Sequence, residues 1–232
     1  MAGRFIVLEG GDGVGKTTHI ALLSSWLDAA GISHTVVREP GGTPLGEAIR
    51  QVVLNRTDLE FSPEAELLLI LAARAALVRE VIRPALLRGD TVIGDRFALS
   101  TLAYQSFGRG LDLDQVRLAI EVATGGLQPD LYVVLDLPVE ESVERGRRDG
   151  QDLDRIEQEG EEFRQTIREA YLTLADSEPA VALVSAQGPL EEVQRRVQDL
   201  LSARLRGAFA VSYTHLRAHE TDSYLVCRLL LE

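Results

Sequence analysis

Cysteine is nearly absent from this chain: Cys227 is the only one among 232 residues. A single cysteine excludes an internal disulfide framework and any metal site built from several thiolates. No apolar run reaches the roughly 18 residues that a membrane-spanning helix needs. The N-terminus enters an apolar stretch without the basic segment and cleavage site of a signal peptide. We therefore expect a cytoplasmic protein with no membrane segment.

Lysine is just as scarce, because Lys16 is the only lysine beside 23 arginines. A GTPase-type switch reads guanine through an Asn-Lys-x-Asp segment, and that segment would require a second lysine. An ATPase that uses a second, signature lysine is excluded for the same reason. The formal net charge of −12 argues against a nucleic-acid partner and an anionic membrane surface, since both bind basic faces.

One glycine-rich stretch indicates its chemistry by residue order alone. Residues 10–17 fit G-x-x-x-x-G-K-[ST], between the apolar run Phe5–Leu8 and a helix-compatible run from His19 to Ala30. In this strand–loop–helix context, backbone N–H groups surround phosphate oxygens, the lysine reaches the terminal phosphates and the hydroxyl after it ligates magnesium. The predicted nucleotide-binding residues are Gly10, Gly11, Asp12, Gly13, Val14, Gly15, Lys16, Thr17 and Thr18.

Short β-branched runs alternate with longer helix-compatible segments along the chain. This alternation predicts an α/β fold whose parallel sheet is covered by helices on both faces. The predicted strands are Phe5–Leu8, Thr35–Val37, Thr91–Ile93, Leu131–Leu135 and Val181–Val184. The predicted helices are 16–30, 44–55, 63–88, 112–124, 138–148, 158–175 and 189–206, with Pro84 ending or kinking the third.

Charged and polar groups follow the strands that should meet the loop at one sheet edge. Asp95 ends the third strand and is a candidate partner for the magnesium ion. Arg96 beside it can bind a phosphate in bidentate fashion, and Arg38 precedes a Pro-Gly-Gly turn that can present a second anion site. Arg74, within an apolar helix, needs a partner for its charge or must extend to water.

Two further segments have both a functional and a purely structural interpretation. Ser100, Thr101, Tyr104 and Gln105 recur at helical spacing, so they could face one pocket and recognise a planar ring. Residues 144–157 are rich in arginine and contain two glycines. They could form a mobile lid over the transferring phosphoryl group, or simply a solvated, charge-mixed segment.

Taken in order, these motifs resemble the bacterial thymidylate kinase family over residues 3–206. They are the phosphate loop, Arg-Glu-Pro-Gly-Gly-Thr at 38–43, Ala-Ala-Arg at 72–74, Asp-Arg with Ser-Thr-x-Ala-Tyr-Gln at 95–105, and a lid ending in Asp-Arg-Ile-Glu at 157. The resemblance implies the nucleoside-monophosphate kinase fold with a five-stranded parallel sheet. It also implies transfer of the ATP γ-phosphate to dTMP, with Mg²⁺, in a homodimer.

The resemblance assigns the residues their roles. Arg38 and Arg96 would hold the dTMP phosphate, and Arg74 would bind the thymine and so gain its missing partner. Pro40, Ile70, Ser100, Thr101 and Gln105 would line the base pocket, and Tyr104 would select deoxyribose. Thr17 and Asp95 would hold the metal. The catalytic set would be Lys16, Arg96, Asp12 and the lid arginines Arg148 and Arg155, since Gly13 stands where some relatives carry a loop arginine.

This chain departs from the family pattern at two places. Ile70 replaces a phenylalanine that would stack on the thymine, which leaves a kinase for another pyrimidine monophosphate as an alternative, beside a non-catalytic nucleotide-binding protein. The family pattern also ends near residue 206, so the predicted kinase domain spans 1–206. Residues 207–232 are expected to be a non-native extension or a dispensable tail.

Overall fold

A computed structural model of the protein describes residues 3–148 and 155–205, apart from the side chains of Arg148 and Glu157. Its centre is a five-stranded sheet with the order β2-β3-β1-β4-β5, in which all four strand pairs are parallel. The predicted α/β fold is therefore confirmed. The strands are β1 Phe5–Glu9, β2 His34–Arg38, β3 Thr91–Asp95, β4 Leu131–Asp136 and β5 Val181–Ser185.

β1 is the middle strand of the sheet, and every one of its residues is buried. A strand covered on both faces needs a continuous apolar run, and Phe5–Leu8 provides one. The fifth residue, Glu9, is the exception, because it is charged and still fully buried. The parallel arrangement brings the C-terminal ends of β1 and β3 together, with Leu8 opposite Asp95.

The helices follow the predicted order but differ in detail. They are α1 Lys16–Ala29, α2 Pro44–Arg50, α3 Pro63–Leu77, α4 Arg83–Arg88, α5 Ala98–Thr101, α6 Leu113–Thr124, α7 Val139–Arg148, α8 Glu161–Ser177 and α9 Leu190–Arg204. Three π-helical turns follow α2, α3 and α5, at Gln51–Asn55, Val78–Ile82 and Leu102–Gly108.

The backbone is helical throughout the predicted range 63–88. A π-helical turn at Val78–Ile82 lies between α3 and α4, and Pro84 lies just after it. A proline has no N–H to donate within a helix and its ring crowds the preceding turn, and such sites are where a helix departs from regular α geometry. The helix predicted from residue 158 starts at Glu161, because Gly160 adopts a φ of +94°.

Side chains cap the N-termini of three helices. The side chains of Thr43, Ser62 and Asp112 each accept a hydrogen bond from the backbone N–H three residues on, in the first turns of α2, α3 and α6. Helix α1 has no such cap among the described side chains. Its first N–H groups are thus left for another acceptor.

The chain divides into one compact unit over residues 1–198 and another over 199–232. The predicted tail, 207–232, lies outside the described residues. Within the part that is described, no helix combines the length and apolar content needed to cross a bilayer.

Candidate active site

The phosphate loop connects β1 to α1 in the predicted strand–loop–helix order. Gly13 and Gly15 have φ angles of +76° and +96°, which L-residues with side chains rarely adopt. A Cβ at Gly13 would come 2.3 Å from the carbonyl oxygen of Ser142. An arginine at this loop position would therefore clash with α7, which agrees with the glycine found there.

Lys16 lies inside the loop. Its Nζ donates hydrogen bonds to the carbonyl oxygens of Gly10, at 3.1 Å, and Gly11, at 2.7 Å. Burial, and then the positive charge of Arg96, lower the pKa of Lys16. The carboxylate of Asp12, 3.8 Å from Nζ, acts in the opposite direction. The ammonium group is thus held at the loop by backbone carbonyls and is close to where the loop would bind phosphates.

The two residues predicted to hold a metal ion lie side by side. Thr17 Oγ1 and Asp95 Oδ2 are 3.5 Å apart, at the start of α1 and the end of β3. A hydroxyl and a carboxylate at this spacing match the oxygen ligands that Mg²⁺ prefers, with the remaining positions open to water and phosphate oxygens.

Asp12 and Arg96 form a partly buried ion pair beside the loop, with side chains that are 24% and 17% exposed. Tyr104 donates a hydrogen bond from its hydroxyl to Asp12 Oδ2 at 3.2 Å, and its ring lies 5.2 Å from the Arg96 guanidinium carbon. Burial alone would raise the pKa of Asp12, but Arg96 and Lys16 outweigh it and hold the pKa below its usual value. Asp12 is therefore an anionic neighbour for Arg96 and for any bound cation.

Arg96 has an unusual backbone conformation. Its φ is +68°, the only positive φ at a non-glycine residue in the described chain. Such a conformation costs about 1–3 kcal/mol and persists where the surroundings enforce it. The guanidinium Nη1 donates to Gly10 O at 3.0 Å, Ser100 Oγ at 3.1 Å and Tyr171 Oη at 3.3 Å.

Glu9 enforces this conformation from the end of β1. Its Oε1 accepts hydrogen bonds from the backbone N–H groups of Phe97, at 2.8 Å, and Ser100, at 3.2 Å. Its Oε2 accepts from Ser100 Oγ at 2.6 Å and from Tyr171 Oη at 2.9 Å. Burial raises the pKa of Glu9, and Arg96 followed by these donors opposes the rise.

A cleft with a volume of about 270 Å³ opens beside the loop. It is bordered by residues of the loop, β2, α2, α3, β3 and the segment after β3. All nine residues predicted to bind the second nucleotide border it: Arg38, Pro40, Ile70, Arg74, Arg96, Ser100, Thr101, Tyr104 and Gln105. Asp12, Lys16, Thr17 and Asp95 border it as well, so the cleft reaches the phosphate loop.

Arg74 has its charge partner inside the protein. Arg74 and Glu39 form an ion pair at 2.6 Å whose side chains are 1% and 4% exposed. The prediction that the nucleotide supplies the missing partner of Arg74 is therefore wrong. Arg74 Nη1, Glu39 Oε1 and Thr101 Oγ1 have no hydrogen-bond partner among the described residues. Because all three residues border the cleft, a ligand with complementary polar groups could satisfy these atoms.

Arg38 is the most accessible of the predicted phosphate ligands. Its side chain is 55% exposed and pairs with Glu47 at 3.0 Å. A surface ion pair of this kind contributes little free energy. Arg38 can therefore exchange Glu47 for a ligand phosphate at little cost.

The lid arginines are placed differently from one another. Arg145 donates to the carbonyl oxygen of Ala186 at 3.0 Å, and Arg147 is exposed. Residues 149–154 and the side chain of Arg148 lie outside what the structure describes. Arg155 is bound to Glu66 of α3 and borders neither the loop nor the cleft.

Known proteins are similar in sequence to most of this chain. A family model described as thymidylate kinase matches residues 8–197. The thymidylate kinase of Pseudomonas fluorescens is 47% identical over 202 residues, which cover 87% of this chain and 96% of that protein. This chain belongs to the thymidylate kinase family. The thymidylate kinase of Deinococcus radiodurans is 49% identical over 203 residues, which cover 87% of this chain and 98% of that protein.

Membership of the thymidylate kinase family confirms the resemblance read from the motifs. It also confirms the predicted enzyme class, an ATP-dependent nucleoside-monophosphate kinase. The family match ends at residue 197, before the segment predicted to be a tail.

Sequence reasoning missed three buried acids of this thymidylate kinase family member. Glu9, Glu39 and Glu66 are each at most 6% exposed, and each binds a residue that was predicted to be functional. Signals for two of them were present. Glu9 is a charge at the end of an apolar strand, and Glu66 is four residues before Ile70, hence on the same helix face. Glu39 stands within the Arg-Glu-Pro-Gly-Gly-Thr motif, but the motif does not show that Arg74, 35 residues away, is its partner.

Proposed function

We propose that this protein transfers the γ-phosphate of ATP to dTMP, giving dTDP and ADP for dTTP synthesis. One observation carries the proposal: the cleft bordered by Arg74, Thr101 and Gln105 is also bordered by Lys16 and Thr17 of the phosphate loop. A donor triphosphate on the loop and an acceptor nucleotide in the cleft would meet at Asp12, Lys16 and Arg96.

The loop would bind the donor. The uncapped N-terminus of α1 and the glycine-rich backbone offer N–H groups to the phosphates of ATP, from Gly10 to Thr18. Lys16 would leave the carbonyls of Gly10 and Gly11 for the terminal phosphates. Thr17 and Asp95 would hold Mg²⁺, which would supply positive charge against the charge that develops during transfer.

The cleft would bind the acceptor. Arg38 and Arg96 would hold the dTMP phosphate, and Asp12 would keep Arg96 oriented. Arg74 would donate to the base through Nη1, and Tyr104 would restrict the sugar pocket.

Positioning and charge neutralisation account for the chemistry. The acceptor phosphate is already anionic, so its oxygen attacks the γ-phosphorus in line without a general base, and the bond to the ADP oxygen breaks. The transition-state charge would be met by Lys16, Arg96 and the lid. Among the lid arginines we propose Arg148 for contact with the transferring group.

Further proposals concern the oligomeric state, the location, the partners and the domain extent of the protein. We propose a homodimer that acts in the cytoplasm without nucleic-acid or membrane partners. We also propose that residues 1–206 form the kinase domain and that 207–232 are dispensable. The acidic net charge of −12 supports the lack of nucleic-acid binding.

The test is ADP release in a coupled assay with Mg·ATP and each of dTMP, dUMP, UMP, CMP, AMP and GMP. We expect strong turnover with dTMP and little with the others. Preference for another monophosphate would contradict the acceptor assignment but keep the reaction. ATP hydrolysis without transfer to any acceptor would contradict the reaction itself.

A further inference from the structure

Arg155 is anchored to the body of the protein by four contacts. Its guanidinium pairs with Glu66, and its Nε donates to the carbonyl oxygen of Val53 at 2.8 Å. Its backbone N–H donates to Leu54 O at 3.0 Å, and its guanidinium carbon lies 4.9 Å from the centre of the Phe61 ring. An arginine held this way would have to break a largely buried ion pair before it could reach a phosphate.

Glu66 connects this anchor to the wall of the cleft. Its carboxylate is 2% exposed and also accepts hydrogen bonds from Gln105 Nε2, at 3.0 Å, and Arg109 Nε, at 3.2 Å. These bonds and the one from Arg155 outweigh burial and hold the pKa of Glu66 below its usual value. The carboxylate therefore stays charged and binds Arg155 and Gln105 at the same time.

The residue after the anchor borders the cleft. Ile156 packs against the buried cluster that contains Ile70, Val53 and Leu54, and both Ile156 and Ile70 border the cleft. Anchoring Arg155 thus places an aliphatic side chain from the lid next to Ile70. Ile70 is the position where the family pattern has an aromatic residue, and Ile156 and Leu54 add aliphatic surface to the same cleft.

We propose that Arg155 is a positioning residue whose attachment to Glu66 makes Ile156 part of the acceptor base pocket. Ile156, near the C-terminal end of the predicted lid, then belongs to the wall of the base pocket. The inference rests on the proposed function, because it assumes that the cleft holds the acceptor nucleotide. It assigns Arg155 a role in acceptor affinity, in contrast to contact with the transferring phosphoryl group.

The decisive measurements are dTMP binding by titration calorimetry without ATP, and KM and kcat with dTMP and with ATP. We expect Arg155→Ala and Ile156→Ala each to weaken dTMP binding about 5- to 50-fold, while kcat and the KM for ATP change less than threefold. Arg155→Lys should restore only part of the affinity, because lysine keeps the charge but loses the fork of donors. Arg56→Ala is the matched control, since that exposed arginine pairs only with Asp58 in the described chain.

A double-mutant cycle tests the link through Glu66. Glu66→Gln should weaken dTMP binding as Arg155→Ala does, and the two changes together should weaken it little more than either alone. Circular dichroism of each variant shows whether it is folded. If Glu66→Gln does not fold, the role of Ile156 in the cleft wall can still be tested by comparing Ile156→Ala with Ile156→Leu. The affinity for dTMP should fall in the alanine variant and stay within threefold of the wild type in the leucine variant.

Two results would overturn the inference. Unchanged dTMP affinity with a kcat at least 100-fold lower in Arg155→Ala would make Arg155 a catalytic residue. Unchanged affinity and unchanged kcat would leave it without the proposed role. Failure of the wild type to bind any monophosphate would overturn the proposed function, and this inference with it, so the two failures are distinguishable.

Discussion

Removing the Glu9 carboxylate should both destabilise the protein and release Arg96. In Glu9→Ala, the backbone N–H groups of Phe97 and Ser100 lose their acceptor in a buried setting. Each such group costs about 1–3 kcal/mol, so we expect a loss of about 2–6 kcal/mol in unfolding free energy. The total unfolding free energy of a typical domain is about 5–15 kcal/mol, so this loss is a large part of it.

Glu9→Gln should cost much less. The amide oxygen can still accept from both N–H groups, and the amide nitrogen would face Ser100 Oγ and Tyr171 Oη, whose hydroxyls can rotate to accept. What is lost is the extra strength of bonds to a charged group, about 1–2 kcal/mol. Comparing the unfolding free energies of Glu9→Ala and Glu9→Gln therefore separates the cost of unpaired N–H donors from the cost of losing the negative charge.

Urea denaturation followed by circular dichroism gives the unfolding free energies, and dTMP-dependent kinetics report on Arg96. We expect KM for dTMP to rise at least tenfold in Glu9→Ala, because the backbone that follows Arg96 then loses the acceptor that helps to hold the positive φ of Arg96. Glu60→Ala, at an exposed acid, is the control and should stay within about 0.5 kcal/mol. Equal destabilisation in the alanine and glutamine variants would refute the reasoning, as would an unchanged KM in Glu9→Ala.

Three further predictions concern the loop and Glu66. Lys16→Ala should lower kcat by at least about a hundredfold, because it removes a preorganised charge from the transfer site; near-normal turnover would contradict the assignment of the loop. Gly13→Ala should raise KM for ATP about 5- to 30-fold, since a positive φ costs an alanine about 1–2 kcal/mol and the new Cβ meets Ser142 O. Gly110→Ala, with a φ of +78° and open space around it, should leave that KM unchanged and serves as the matched control. The folded pKa of Glu66 lies below its usual 4.5, so its stabilisation is present above that pH and is lost as pH falls through the folded pKa. The difference in unfolding free energy between wild type and Glu66→Gln, measured in urea from pH 7 to pH 3, should therefore shrink on acidification; a constant difference would contradict the lowered pKa.

Sheet architecture was predictable because it depends on local patterns. Five apolar runs separated by helix-compatible segments imply a parallel sheet, and all five strands formed within one or two residues of the predicted bounds. The helices after the third strand were less predictable. Residues 98–108 form α5 and a π-helical turn, but only their polar spacing was noticed, because this segment is short and almost entirely buried.

The loop residues could be found because their chemistry depends on neighbours in sequence. Spacing alone fixes which backbone groups surround a phosphate. The partners of the predicted arginines could not be found this way. Glu39 lies 35 residues from Arg74, and Glu66 lies 89 residues from Arg155. Opposite charges are numerous in a chain with 36 acids, so composition does not show which acid pairs with which arginine.

Three features could be predicted from the sequence alone: the parallel α/β fold, the phosphate loop with its single lysine, and the family to which the chain belongs. Each depends on contiguous residues or on the order of motifs along the chain. Only the tertiary structure decided where the charges are neutralised. Arg74 pairs with Glu39 rather than awaiting a nucleotide, and Arg155 is held by Glu66 rather than extended over the loop. The physical reason is that a buried charge must be paired where it lies, and the folded chain, by bringing distant acids to the arginines, selects the partners.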